Sequence, residues 1–408
     1  MDLFFILLVL LVATRTFGEA AEWLGQPALV GELVAGIVLG TLAAQHADLF
    51  PQIAGLANSS VFDAITDLGM FFIMLFAGVE LQPSRLIQHS RGAFGVAMSG
   101  MVFPMALGVA LGWVFLPESD AFFAQALFLG TALAITAVPA TVRILMDLGK
   151  LESRSGQIIV SAAVFDDVLS LILLAWLTAL ISADPSNQPS LISLGLNVTG
   201  FFAVTIAVGI FVFPFGGKFM RSVKQKELEF STLLVAALAF SVLAEVLDLH
   251  FIVGAFMAGL FFGPKTIGEA SYDDVRNKTS AMTFGFLAPI FFASVGLHMD
   301  FSAVFEVPAF VVWLLIAAFA GKLLGAGVVA LAIGLTRQEA AAVGVGMSAR
   351  GAVELVIADI ALEAGLFDTG AGSSPVVEHM FSAIVIMAIL TTLATPVLLK
   401  RIYDGGPA

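Results

Sequence analysis

The sequence predicts an all-α integral membrane protein of about 13 transmembrane helices, built as two inverted-topology repeats. Three observations predict it. Only 12% of the 408 residues are charged and 59% are hydrophobic, whereas a soluble domain carries about 25% charged residues. Apolar segments long enough to span a bilayer, roughly 20 residues each, recur from one end of the chain to the other. Two glycine-patterned segments of the first half reappear in the second half with the same internal spacing.

The spans centre near Leu8, Ala35, Ile73, Ala106, Ala134, Leu171, Ile206, Leu238, Met257, Pro289, Ala317, Leu355 and Ala388. Their connections are too short to hold a soluble domain. The first span, "DLFFILLVLLVA", has neither a basic start nor a small-residue cleavage site, so it is expected to be retained as a helix. Cysteine is absent, which excludes a disulfide framework and a thiol switch.

Of the 18 Lys and Arg residues, all but Lys322 and Arg350 fall in alternate connections. These are Arg15; Arg85 and Arg91; Arg143, Lys150 and Arg154; Lys218, Arg221, Lys224 and Lys226; Lys265, Arg276 and Lys278; Arg337; and Lys400 with Arg401. Lys and Arg favour cytoplasmic loops, so the N-terminus is expected outside and the C-terminus in the cytoplasm. The net charge of -13 comes mostly from acidic outer loops. No basic stripe suggests nucleic acid. The cluster Lys218–Lys226 fits contact with anionic lipid headgroups.

The repeat shows in "VGELVAGIVLG" (Val30 to Gly40) and "VGAFMAGLFFG" (Val253 to Gly263), where Val, Gly, Ala, Gly and Gly share offsets. The spans that follow end in "FAGVEL" (Phe76 to Leu81) and "FASVGL" (Phe292 to Leu297), again in register. An odd number of spans separates the partners, so the halves run in opposite directions. Inverted repeats of this kind build secondary transporters, with the site at the repeat interface. The competing reading is chance recurrence of Gly and Ala in helix-packing faces.

The same offset pairs the fifth span, "LAITAVPATV", with the twelfth, "GVGMSARGAVEL". Pro139 removes a backbone donor mid-span, with Thr131 and Thr136 nearby. Gly344, Gly346 and Gly351 surround Arg350 in the other. Pro139 alone would be an ordinary kink; the paired placement favours two interrupted helices whose freed backbone groups face ions.

Asp166 and Asp167 stand side by side inside "SAAVFDDVLSLILLAWLTAL". A central Asp or Lys costs about 2.5–3.5 kcal/mol on insertion scales, so each needs a partner or a use. Helix neighbours point about 100° apart. One aspartate can therefore meet a fixed cation while the other faces an aqueous cavity. Lys322, deep in "AAFAGKLLGAGVV", is the available cation, unless it snorkels to an interface. Arg350 can pair with Glu354 at i+4 or hold the broken helix together. A carboxyl group kept from water can be neutralised by a proton or by a metal cation, and the two compete. That competition is the least chemistry that cation/proton exchange requires.

Taken together, "QPALVGELVAGIVLG", "DLGMFFIMLFAGVELQ", "LAITAVPATVRILMDLG", "AAVFDDVLSLILLA", "FIVGAFMAGLFFG", "FFASVGLHMDFS", "AGKLLGAG" and "RGAVELVIA" resemble the sodium/hydrogen exchanger fold family. The likeness is greatest to its bacterial second branch of monovalent cation:proton antiporters, the type with an Asp-Asp pair and a lysine. It covers nearly the whole chain. The resemblance implies a homodimer in the bacterial inner membrane working by alternating access. It implies scaffold helices over 1–88 and 217–306, a linking helix over 183–216, and a mobile core over 89–182 and 307–402. The two broken helices would cross at mid-membrane within that core. By position it implies that Asp167 binds the ion and exchanges protons, and that Asp166 partners Lys322. It further implies that Thr131, Thr136, Ala137 and Val138 line the ion, while Ser348, Arg350 and Glu354 play structural or electrostatic roles in the second broken helix. Exchange would be electrogenic, carry sodium or potassium, and need no cofactor.

There are departures. Many bacterial relatives read Arg-Gly-Glu where this chain has Arg350, Gly351 and Ala352, with Glu354 two places on. The nucleotide-binding domain of the glutathione-gated potassium efflux members is not found in this chain, so gating of that kind is less expected.

Other readings fare worse. Potassium/proton exchange on the same fold is the nearest alternative. Sodium-coupled uptake of an organic anion would ask for a roomier polar and aromatic site. An intramembrane aspartyl protease needs carboxylates facing each other from separate helices, which adjacent residues cannot provide. A channel or sensory protein has no positive signal here. Glu32 and Glu80 read as structural, and His298 and His379 as solvated groups near the outer surface.

Overall fold

The structure is a computed structural model describing residues 2–45, 60–80, 90–119, 121–136, 141, 145, 148–151, 153–181, 191–213, 227–247, 249–299, 301–367 and 374–404. Apart from short turns, it is helical: α1 (Asp2–Trp23), α2 (Ala28–Gln45), α3 (Ser60–Glu80), α4 (Ser90–Phe115), α5 (Phe122–Ala134), α6 (Arg154–Ile181), α7 (Leu191–Phe211), α8 (Glu227–Val246) and α9 (Phe251–Phe261). There follow α10 (Glu269–Met282), a π-helical turn (Thr283–Leu287), α11 (Ala288–Leu297), α12 (Pro308–Lys322), a second π-helical turn (Leu323–Gly327), α13 (Val328–Ala332), α14 (Arg337–Gly346), α15 (Ala352–Glu363) and α16 (Met380–Asp404).

Each of the span centres read from the sequence lies within one of these helices. Among the described residues, 7 helical segments are long and apolar enough to cross a membrane unaided, and α2, α5, α7 and α9 contribute shorter apolar ones. Phe4, Trp113, Val114, Val235 and Val242 are exposed along their helices. Continuous apolar surface of that kind is costly in water and is the normal outer face of a helix in lipid.

The chain divides into two compact units, Met1–Pro83 with Thr178–His298 and Ser84–Leu177 with Met299–Ala408. The linking helix of the sequence reading, α7, falls in the first.

In the first unit the repeated glycines are contact points. A Cβ at Gly36 of α2 would lie 2.2 Å from the Ala293 carbonyl oxygen of α11, and one at Gly259 of α9 would lie 2.4 Å from the Leu75 oxygen of α3. These two glycines hold the same offset in the repeated segments. So do Leu33 and Phe256, and each has its carbonyl covered by a partner glycine: Gly296 at 2.3 Å and Gly78 at 2.2 Å from the added Cβ. The pairs α2–α11 and α3–α9 thus pack backbone to backbone in equivalent ways, as small residues allow between membrane helices. Glu32 lies 3.6 Å from Arg15, whose guanidinium also donates to the Phe284 carbonyl at the first π turn. Glu80 pairs with Arg276.

In the second unit, α4, α6, the second π turn and α14 share a core of small and branched side chains that includes Val96, Ala97, Ile159, Ala162, Ala163, Ala326, Val343 and Met347. Helix α4 approaches α12 closely: a Cβ at Gly321 would lie 2.7 Å from Pro104 Cα, and one at Gly325 would lie 2.3 Å from the Ser99 carbonyl oxygen. The Ser99 hydroxyl donates to the Gly325 carbonyl at 3.0 Å, within the second π turn. A π turn here, one residue past Lys322, fits the rule that such bulges gather at functional positions.

One expectation changes. His379 is buried, not solvated, and its Nε2 lies 3.0 Å from Glu306 Oε2. The turn that leads into α16 folds against the short helical turn carrying Glu306, so the imidazole packs inward.

Candidate functional site

Both expected interruptions can be placed. Helix α5 stops at Ala134, and Ile135 is extended with φ -70° and ψ 148°. Pro139 lies outside the described residues, as do Ala137 and Val138. Helix α14 stops at Gly346, and α15 starts again at Ala352 after the extended Gly351.

A helix that stops leaves its last carbonyls without intrahelical donors, and its C-terminal end carries partial negative charge. Two such ends meet here, and side chains satisfy them. Lys322 Nζ donates to the Ala134 carbonyl and, at 2.7 Å, to Thr136 Oγ1. Arg350 Nη2 donates to the Leu133 carbonyl at 2.8 Å, and Nη1 to the Ser348 carbonyl at 3.0 Å. Thr136 passes its own proton to the Met347 carbonyl at 3.1 Å, and Thr141 donates to that of Gly346 at 2.8 Å. The backbone of each break is thus held by side chains of the other or by a buried cation.

Asp166 continues the buried stripe of α6 set by Ile159, Ala162 and Ala163 at helical spacing. Its carboxylate lies 3.8 Å from Lys322 Nζ, and both side chains are fully buried. That is an ion pair without a hydrogen bond. The Thr136 hydroxyl and amide approach the Asp166 carboxylate, but neither oxygen takes a hydrogen bond of regular geometry from the described residues. Lys322 is therefore bound more closely to the broken helix than to the aspartate. Asp167 occupies the next position of α6; its side chain lies outside the described ones.

Arg350 and Glu354 are also fully buried, with Nε and Oε2 3.2 Å apart. The two roles considered for Arg350 coexist: it pairs with Glu354 and ties the two breaks together. The Thr392 hydroxyl donates to the Arg350 carbonyl at 2.8 Å, a support from α16 that no local pattern announces. Thr131 and Ser348 are buried but turn their hydroxyl protons to their own helices, to Leu127 at 2.8 Å and Gly344 at 2.8 Å. The sequence reading also passed over Ser170, buried one helical turn from Asp166. Its i+4 spacing was the available signal.

Residues 6–403 match the model of the family described as sodium/hydrogen exchanger, transmembrane. The chain belongs to the sodium/hydrogen exchanger family. Among curated members of that family, the Na(+)/H(+)-K(+) antiporter GerN of Bacillus cereus is 31% identical over 99% of this chain and 97% of its own length. The probable Na(+)/H(+) antiporter GerT of the same organism is 32% identical over 98% and 99%. The fold is that of the sodium proton antiporter MjNhaP1 from Methanocaldococcus jannaschii, with a TM-score of 0.71 at 16% identity over 100% of this chain and 98% of that one. This exchanger-family chain is accordingly an integral membrane transporter and not an enzyme.

Proposed function

We propose that this protein is a secondary active antiporter that exchanges a monovalent cation, sodium foremost, for protons across a bacterial inner membrane. The observation that carries the reading is the fully buried Asp166 carboxylate, 3.8 Å from Lys322 where two half-helices end. Here the ammonium is anchored on backbone and hydroxyl oxygens, and the aspartate pair retains oxygen ligands for a small cation.

In this mechanism Asp167 exchanges proton for cation, and Asp166 adds charge and oxygen ligands. Lys322 balances that charge in one loading state and keeps the first break ordered. Thr136, Ala137 and Val138 offer hydroxyl or backbone oxygens along the same break. Thr131 lies just before it. Ser348, Arg350 and Glu354 keep the second break in shape. Transport proceeds by alternating access, with elevator-like movement of the part that carries the ion. Two aspartates beside one lysine favour electrogenic exchange. The protein works as a homodimer with its N-terminus outside and its C-terminus in the cytoplasm, in line with the basic residues of alternate loops. GerN carries potassium in its name, so potassium is the second cation to test.

In proteoliposomes, an imposed sodium gradient is expected to drive proton movement through the wild-type protein. Asp167→Asn is expected to abolish it. Sodium-driven proton movement that survives Asp167→Asn would sink this assignment.

A further inference from the structure

Ser170 is the residue outside every role described so far whose surroundings ask for an explanation. It is 2% exposed. Its hydroxyl has no hydrogen-bond partner among the described residues. A serine inside a helix ordinarily turns its proton to the carbonyl four residues back. Its neighbours in the same unit do so: Thr131 to Leu127, Ser348 to Gly344, Thr391 to Met387, Thr392 to Ala388 and Thr395 to Thr391. Ser170 does not, and a buried hydroxyl left unpaired costs about 1–3 kcal/mol. A buried atom in that condition calls for an explanation, and a bound ion is one of those that native proteins supply.

Position says what. At about 100° per residue, Ser170 lies about 40° round the helix from Asp166 and about 60° from Asp167 on the other side. Its place on the helix therefore falls between the positions of the two aspartates, about 6 Å beyond Asp166 and about 4.5 Å beyond Asp167 along the axis. Side chains four apart have Cβ atoms about 5–6 Å from each other, a separation across which two oxygens can share one small cation. Leu173, three residues on from Ser170 and on one side of it round the helix, shares a core cluster with Ala134, the last residue of α5, and Leu169 packs against that cluster. The carbonyl of Ala134 is the one that receives Lys322.

We propose that Ser170 is a neutral oxygen ligand for the transported monovalent cation, one helical turn beyond the aspartate pair. The inference rests on the antiport reading above. The hydroxyl replaces a water of the cation's shell without adding charge, as carbonyl oxygens do in ion filters. It thereby affects how strongly each alkali cation is held, while the proton is still handled by the carboxyl groups.

The test compares wild type, Ser170→Ala and Ser170→Thr in proteoliposomes with lithium, sodium and potassium chloride, alongside cation-induced thermal stabilisation in detergent. Ser170→Ala is expected to raise the apparent KM for the preferred cation about tenfold. It should leave the maximal rate within about twofold, since proton exchange stays with the carboxyl groups, and should weaken stabilisation by that cation. Ser170→Thr, which keeps the hydroxyl, should restore both. An unchanged KM for all three cations in Ser170→Ala overturns the proposal, and so does a raised KM that threonine fails to restore. A wild-type protein that moves no cation against protons, yet is stabilised by the cation in a Ser170-dependent way, overturns the antiport reading and leaves the ligand assignment standing. A wild-type protein that neither transports nor is stabilised overturns both.

Discussion

Glu354→Ala lowers the stability of the folded protein by about 3–5 kcal/mol, because it leaves a fully buried guanidinium without its counter-charge. Arg350 and Glu354 are both fully buried, and Nε lies 3.2 Å from Oε2. A guanidinium does not shed its proton in a protein, so Arg350 cannot relieve the imbalance by becoming neutral. Glu354→Gln keeps the shape but not the charge and should lose less. The double variant Arg350→Met with Glu354→Leu removes both charges and should recover much of the loss. It should not recover all of it. The Leu133 and Ser348 carbonyls then lose the donors Arg350 gave them, and a buried acceptor without a partner costs about 1–3 kcal/mol. Equilibrium unfolding in mixed micelles reads these differences. Glu354→Ala as stable as wild type would mean that Arg350 is not enclosed with Glu354 as its counter-ion.

Lys322→Met should lower stability by a similar amount, about 3–5 kcal/mol, and should also slow transport by on the order of 100-fold. The two effects have separate causes. Methionine fills much of the lysine's volume but offers nothing to the Ala134 carbonyl or to Thr136 Oγ1, so the end of α5 loses its cap. Asp166 at the same time loses the cation 3.8 Å away. The backbone around the first break then shifts, and misplacement by about 1 Å is enough for a loss of that size. Lys322→Arg keeps the charge, but its planar fork fits one ammonium position poorly. It should retain more stability than Lys322→Met while transporting slowly. If Lys322→Met proves as stable and as fast as wild type, the lysine does not organise the break.

Much of this architecture can be read from the residues, and the exceptions have physical reasons. The glycine register of Gly36 with Gly259 is visible because close helix packing in lipid needs small residues at fixed spacing, and those glycines are the contact points. The break at 347–351 follows from glycines crowded around a charge. Lys322 and Asp166 can be matched as opposite charges too costly to leave alone in lipid. Their actual order of contacts cannot be read, because Lys322 prefers carbonyl and hydroxyl oxygens exposed only once α5 stops. The anchoring of Arg350 on Leu133, distant in sequence, escapes for the same reason: its acceptor is backbone, which no residue type announces. Thr392 beneath the Arg350 carbonyl and the inward turn of His379 depend on how α16 packs. Ser170 carried a signal in its spacing, but spacing alone does not separate a ligand from a helix-packing serine. The absent back-bond is the observation from which the ligand role is inferred.

The central claim is that one carboxyl group in the membrane takes either a proton or an alkali cation, never both. Proton release on cation binding tests it most directly. Sodium chloride is added to the purified protein in weakly buffered detergent solution, with choline chloride as the control for ionic strength. The account predicts that sodium expels protons from the wild-type protein and that Asp167→Asn releases markedly fewer. Sodium binding with no proton release, or release unchanged by Asp167→Asn, would contradict it.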